Sequence, residues 1–206
     1  MTDAAIADAR PDQWLERTMK FADVRRRLVA AAALVAVAVF AGFRGPEASA
    51  TELILIGGQG DEVGVTAAAL RTGALKTWAP SGHWTRALAP EWQIGSWNAQ
   101  RATANKSQII DSSVTAVLTM RPRSSEISSY YLDIGLGVHM LSDQKISNER
   151  NLGSRFQFGE FLGLGADLGE HRRYSLAARV QHVSNGGMTK PNPGVTFIQL
   201  LVMYHF

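Results

Sequence analysis

A histidine and a serine stand two residues apart near the end of the chain, in QHVSNGGMTKPNPGVTF, residues 181–197. If this stretch is extended, His182 and Ser184 share one face of a β-strand. A serine hydroxyl becomes a nucleophile when a histidine removes its proton, so the pair is typical of ester or amide hydrolysis. Because a His-x-Ser pair also occurs by chance at strand ends, the hypothesis depends on the elements that carry it.

The chain after residue 50 alternates apolar and polar residues. In SYYLDIGLGVHM, residues 129–140, the even-numbered residues are mostly apolar and the odd-numbered ones are mostly polar or glycine. This period of two is that of a β-strand. The pattern predicts eight strands, at about 52–59, 62–72, 83–98, 106–122, 128–142, 153–168, 170–184 and 195–206.

Strand length and loop pattern indicate an all-β fold, an eight-stranded antiparallel up-and-down outer-membrane β-barrel. Most predicted strands reach the roughly 9–11 residues of a tilted membrane-spanning strand, and the predicted connections alternate between short and long. A secreted soluble β-sandwich or lipocalin-like barrel is the alternative, with its apolar face turned inward. Six aromatic residues are candidates for interfacial girdles: Trp84, Trp92, Trp97, Tyr130, Tyr131 and Tyr204.

Residues 1–50 are predicted to be an N-terminal extension and a cleaved signal peptide, which leaves 51–206 as the barrel. The basic cluster Arg25-Arg26-Arg27 precedes an uncharged apolar run, residues 28–43, and a small-residue cleavage site follows at Ala48-Ser49-Ala50. These are the parts of a secretory signal. A transmembrane anchor is the alternative, although the run is short of the roughly 20 residues that a span needs. Met19 is an alternative start.

Composition argues against several other classes of function. The formal net charge is only +3, and residues 51–206 contain no basic run, which argues against nucleic-acid binding. There is no Cys, and His83, His139 and His171 lack metal-ligand spacing. We instead expect polar residues to fill the barrel lumen: Asp111, Asp133, His139, Glu91 and Arg86. Glycines at 135, 137, 163 and 165 suit a crowded lumen.

The parity of the last two strands predicts where the His-Ser pair points. If both chain ends are periplasmic, strand 170–184 runs outward and the pair lies at its extracellular end. The apolar, even-numbered residues of that strand face lipid, and His182, Ser184 and Thr196 of the next strand share their parity. Because polar groups facing lipid are costly, this placement favours a substrate that is itself a lipid of the outer leaflet.

The stretch HVSNGGMTKPNPG, residues 182–194, resembles the outer-membrane lipid A 3-O-deacylases. It has the His-x-Ser-Asn-x-Gly start, then Pro-Asn-x-Gly, then a final strand of the right length. FQFGEFLGLGADLG, residues 156–169, is similar to the corresponding strand of that family.

The resemblance implies a bacterial outer-membrane barrel with a lipid-facing Ser-His-Glu triad. Such a protein hydrolyses the ester-linked acyl chain at position 3 of lipid A, with lipopolysaccharide as its partner in the outer-membrane lipid and with no cofactor or metal. Carried over, Ser184 is the nucleophile and His182 the general base, while the loop positions Asn185, Gly187 and Asn192 orient the loop or stabilise the oxyanion. A homodimer is left open.

One residue departs from the family pattern, because Thr196 stands where the family has its acid. Three hypotheses follow. Glu160 on the preceding strand is the best substitute carboxylate, but a simple hairpin register places it opposite Arg179 on the lumen side, as a structural ion pair. Alternatively, Thr196 completes a slow Ser-His dyad, or the barrel is catalytically inactive and has a structural or lipid-binding role.

Overall fold

The computed structural model describes residues 51–78, 82–100, 108–123, 129–147 and 150–206. The predicted extension and signal peptide, residues 1–50, lie outside the described residues and stay a prediction. Among the residues described, no helix has both the length and the apolar character needed to cross a membrane.

Nine strands and one short 3₁₀ turn make up the regular structure of the described residues. The strands are β1 (Glu52–Gly60), β2 (Val63–Arg71), β3 (Lys76–Trp78), β4 (Trp84–Ala99), β5 (Gln108–Pro122), β6 (Tyr130–Leu141), β7 (Phe156–Leu168), β8 (Tyr174–Ser184) and β9 (Val195–His205), and the 3₁₀ turn is Glu170–Arg172. Eight of them match the predicted strands in order. The short strand β3 falls in a predicted loop.

The eight long strands close into an antiparallel barrel, which confirms the predicted fold. Each pairs with its neighbours in sequence, β1 pairs with β9, and β2 pairs with β4. Strand β3 also pairs with β4 and continues the line of β2. The pairing is interrupted between β2 and β3, where Thr72 N–H donates to Pro90 O at 3.1 Å. Pro90 has no N–H to give to the ladder, and a proline in a strand commonly marks such a break.

The outer surface is apolar and the lumen is polar, which is the arrangement of a membrane barrel and the reverse of a soluble one. The even-numbered side chains of β6 to β9 point outward. The most exposed apolar ones on these strands are Leu136, Leu164, Ile198 and Leu200. Odd-numbered positions of the same strands point inward and are mostly buried.

Charged and polar side chains pair inside the barrel. Glu91 accepts hydrogen bonds from Arg71 at 2.8 Å and from Arg179 at 2.9 Å, and Arg71 also contacts Asp133 at 2.9 Å. Elsewhere in the lumen, His139 Nδ1 lies 2.9 Å from Asp111 Oδ2. The predicted lumen network is therefore confirmed for these carboxylates and for His139, but Arg86 is exposed and that part of the prediction is wrong.

Glycines make room for the large side chains of the lumen. A Cβ at Gly135 would lie 2.1 Å from the ring of Phe161, and one at Gly165 would lie 2.2 Å from the ring of Tyr131. The girdle prediction is wrong for Trp97 and Tyr131, which are buried in the barrel at 1% and 2% exposure. Both sit at odd-numbered positions, whereas the other four girdle candidates are at least partly exposed.

The two ends of the barrel differ. At the loop end lie the turn 61–62, the connection 142–155 and the loop 185–194; at the terminus end, Phe206 N–H donates to Thr51 O at 3.1 Å. The two-residue turn 61–62 lies at the loop end, so the predicted alternation of loop lengths does not extend to the first hairpin. Ile146 and Leu152 of connection 142–155 are fully buried among apolar residues of the barrel mouth.

Candidate active site

Strand β8 presents the predicted pair outward near the loop end. His182 and Ser184 are half-buried on the lipid-facing side, and Val183 between them is fully buried in the barrel. The alternation of the strand therefore separates a polar pair on the outside from an apolar contact on the inside. Consecutive side chains on one face of a strand lie about 6–7 Å apart at their Cα atoms, which is within reach of a serine and an imidazole.

Thr196 of strand β9 fixes the imidazole. It is the register partner of His182, and its Oγ1 lies 2.9 Å from His182 Nδ1. When Nδ1 carries the ring proton, it donates to this hydroxyl, and Nε2 keeps a lone pair for accepting a proton. The hydroxyl thus lies at the position from which a triad acid would orient the imidazole, but it carries no charge.

Gly194 leaves the space that the His182 imidazole occupies. Its φ is +63°, and an added Cβ would lie 3.0 Å from His182 Nε2 and 2.7 Å from Cε1. Any larger residue at this position would meet both a backbone penalty and the imidazole. The glycine of the Pro-Asn-x-Gly sequence is therefore required by the packing of the site as well as by the turn.

Ser184 lies beside an aromatic pair. Its register partner is Phe158, whose ring meets that of Phe156 edge-on at 5.3 Å. In the part of the chain that the structure describes, the Ser184 hydroxyl makes no hydrogen bond to His182. Catalytic hydrogen bonds often tighten only when substrate binds.

The loop 185–194 is held from inside by Asn185. Its buried side-chain amide donates to Leu152 O and to Thr189 Oγ1, both at 2.9 Å, and its Oδ1 accepts from Gly187 N–H at 2.9 Å. Its own N–H donates to Asn192 Oδ1 at 3.0 Å. These contacts hold the loop in place, and the predicted roles of Asn185, Gly187 and Asn192 in orienting the loop or stabilising the oxyanion stay predictions. The Asn192 Nδ2 group has no partner among the described residues.

Glu160 lies on the outside of the barrel, so its predicted placement opposite Arg179 is wrong. Its register partner is His182, while Arg179 pairs with Gly163. A tight hairpin would give the predicted pairing, but five residues, 169–173, connect β7 to β8, and three of them, Gly169, His171 and Arg172, have positive φ. The observed register differs from the tight-hairpin register by three residues. Register partners lie on the same face of a sheet, so Glu160 stands beside the outward-facing His182 and not beside the inward-facing Arg179.

A second carboxylate near the site could not be foreseen from sequence. Asp61 in the β1–β2 turn accepts a hydrogen bond from Thr196 N–H at 2.7 Å. Residues 61 and 196 are far apart in the chain and meet only because β1 and β9 close the barrel. The described residues contain no group of three His, Asp or Glu side chains suited to holding a metal ion.

The fold and site define a small, closed membrane barrel with a serine–histidine pair on its lipid-facing wall. The model of the lipid A 3-O-deacylase (PagL) family matches residues 67–205, and the chain belongs to that family. The family and the apolar outer wall place the protein in the outer membrane.

Proteins that are similar to this chain include a bacterial lipid A deacylase and an outer-membrane enzyme of known structure. The lipid A deacylase PagL of Bordetella bronchiseptica is 39% identical over 77 residues, which are 37% of this chain and 42% of that protein. The match thus spans less than half the length of that relative. The crystal structure of the outer membrane enzyme PagL superposes with a TM-score of 0.62 at 18% identity, over 74% of this chain and 98% of that one, which shows the shared fold.

Proposed function

We propose that this protein removes the 3-O-linked acyl chain of lipid A, using Ser184 and His182 on the lipid-facing wall. The observation that carries the proposal is the outward His-Ser pair near the loop end, with Nδ1 of the imidazole held by Thr196 Oγ1 at 2.9 Å. Membership of the deacylase family gives the substrate class. A polar pair on an apolar wall is costly unless it meets a polar group within the membrane, and an acyl ester is such a group.

The reaction divides into two acyl transfers. Ser184 Oγ attacks the ester carbonyl carbon while His182 Nε2 takes the hydroxyl proton. The bond between the acyl carbon and the sugar oxygen breaks, and His182 returns the proton to the departing alcohol of the sugar. Water, activated by the same imidazole, then attacks the acyl–serine ester, which releases a fatty acid and restores the serine.

Asn192 is our candidate for stabilising the oxyanion that forms in each step. Its Oδ1 is fixed by the N–H of Asn185, the residue that follows Ser184, so its amide group stays close to the nucleophile. A well-placed donor of this kind contributes about 3–4 kcal/mol to transition-state stabilisation.

The wall beyond the site offers an apolar track for the acyl chain. Val180 and Ile198 are outward-facing register partners on β8 and β9, one step along the outer face from His182 and Thr196. Both are more than half exposed. An acyl chain lying along these strands would keep its contacts with apolar side chains while its ester reaches Ser184.

A catalytically inactive barrel with a structural or lipid-binding role is the second candidate, and the observation that favours it is Thr196 itself. In serine hydrolases, loss of the triad acid lowers the rate by about 10⁴-fold. Without compensation, a hydroxyl at this position would leave only slow turnover.

The test is a mass spectrum of lipid A from a Gram-negative host that expresses the protein. Wild type should remove one 3-linked hydroxyacyl chain, and Ser184→Ala should remove none. Ser112→Ala is the matched control, because Ser112 is exposed on the even-numbered face of β5, and it should retain activity. If wild type in the outer membrane removes nothing but Thr196→Glu does, the natural protein is the inactive barrel.

A further inference from the structure

Glu160 is a carboxylate on a wall that otherwise faces lipid. Its outward neighbours along β7 are Phe158 and Leu162, both large and exposed. It forms no ion pair within the described residues, since Arg179 lies inside the barrel on Glu91. A carboxylate in such a position is costly, and its register partner is His182.

We propose that Glu160 supplies the negative charge that Thr196 lacks, so that the two tasks of a triad acid are divided between the strands on either side of β8. Thr196 orients the imidazole through Nδ1, and Glu160 stabilises the imidazolium from the side of β7. This inference rests on the proposed function. It makes Glu160 a positioning residue that acts through His182, without contact with the substrate.

The placement of Glu160 favours an electrostatic effect on His182 over a direct hydrogen bond to it. Directly opposed residues in an antiparallel pair have Cβ atoms about 4.5–5.5 Å apart, whereas Nδ1 is already engaged by Thr196. Attraction between unit charges at this range is several times stronger near a protein surface than in water, because the effective dielectric constant is lower. Glu160 would therefore favour protonation of His182 in the transition state without contacting Nδ1.

Asp61 is the other carboxylate near the imidazole, but it serves a different group. Its Oδ2 accepts from the backbone N–H of Thr196, so this oxygen is engaged with the main chain of Thr196 and not with the imidazole. Glu160 is the residue whose own register partner is the histidine.

The experiment compares Glu160→Gln and Glu160→Asp with wild type, with Ser184→Ala and with the control Glu170→Gln. Glu170 is exposed at the terminus end, so its substitution removes the same charge far from the site. Two rates are measured on purified, folded protein: release of the acyl chain from lipid A, and labelling of Ser184 by a fluorophosphonate. In labelling, the serine oxygen bonds to phosphorus, fluoride leaves, and the hydroxyl proton passes to His182.

We expect Glu160→Gln to lower kcat by about 10²- to 10⁴-fold with little change in KM, and to slow labelling in parallel. Glu160→Asp should retain part of both rates, and Glu170→Gln should match wild type. Adding Thr196→Glu to Glu160→Gln should recover activity, because charge returns on the β9 side. A merely structural role for Glu160 would not produce that recovery.

Each outcome separates the two proposals. Equal labelling of wild type and Glu160→Gln would overturn the role of Glu160, whatever happens to lipid A. Slower labelling of Glu160→Gln, with no acyl release by wild type from lipid A, would support Glu160 and refute the proposed substrate. A wild-type Ser184 that is never labelled would refute both.

Discussion

The carboxylate of Asp61 holds the backbone N–H of Thr196 at 2.7 Å, and so ties the first hairpin of the barrel to its last strand. Both Asp61 and Glu62 have positive φ, at 49° and 64°, as both central residues of a type I′ turn do. We expect Asp61→Gly to lower kcat by about three- to tenfold, from the loss of one hydrogen bond, because Thr196 would then hold His182 less firmly.

Glycine tolerates the backbone of this turn, so Asp61→Gly removes the carboxylate without strain. Asp61→Asn keeps an acceptor and should stay close to wild type in the same acyl-release assay. Equal losses in the two variants would show that charge, and not the hydrogen bond, is what matters at this position.

The hydroxyl of Thr196 should be needed for turnover more than for assembly. Thr196→Val has nearly the same shape but cannot accept from His182 Nδ1, and we expect kcat to fall about tenfold or more, the value of one orienting hydrogen bond. Thr196→Ser retains the acceptor and should keep most of the activity. Steady-state kinetics of the two variants decide the point, and full activity in Thr196→Val would remove Thr196 from the site.

Contact between Gly194 and the imidazole predicts a steric effect on catalysis. Gly194→Ala would place a Cβ 3.0 Å from His182 Nε2, and we expect kcat to drop at least tenfold in folded protein. Gly169→Ala is the control, because Gly169 has a similar positive φ of 76° at the terminus end and its Cβ would meet only Tyr174, at 3.8 Å. Both variants should lose about 1–3 kcal/mol of stability to backbone strain, so a kcat loss shared by both would contradict the steric explanation.

The lumen ion pairs predict a loss of stability without a loss of chemistry. Glu91→Gln would leave Arg71 and Arg179 buried with less opposing charge, and breaking a buried pair typically costs about 3–5 kcal/mol. Urea unfolding followed by electrophoretic mobility should show this decrease, while kcat of the folded fraction stays at the wild-type value because Glu91 lies inside the barrel. A fall in kcat at unchanged stability would instead connect the lumen to the site.

Alternation made the barrel predictable, because each long strand has one apolar face and one polar face. The outward direction of His182, Ser184 and Thr196 followed from parity alone. The burial of Trp97 and Tyr131 follows from the same rule, although aromatic residues are also typical of the membrane interface. Parity was the stronger signal for both residues.

Register across connections was the part that sequence could not supply. Which residue of β8 stands opposite Glu160 depends on how five residues turn between β7 and β8. The outward direction of Glu160, in contrast, follows from the alternation of β7, because Glu160 shares its parity with Phe158 and Leu162. Asp61 was missed for a related reason. Its contact with Thr196 exists only after the first and last strands meet, and no local pattern reports such a closure.

The buried plug formed by Ile146 and Leu152 at the barrel mouth, together with the paired charges below it, also bears on the permeability of the cell envelope. Because these described side chains fill the lumen, we expect the barrel to block the passage of small solutes across the membrane. A bacterium could therefore carry many copies of this protein without making its outer membrane leakier to antibiotics or detergents.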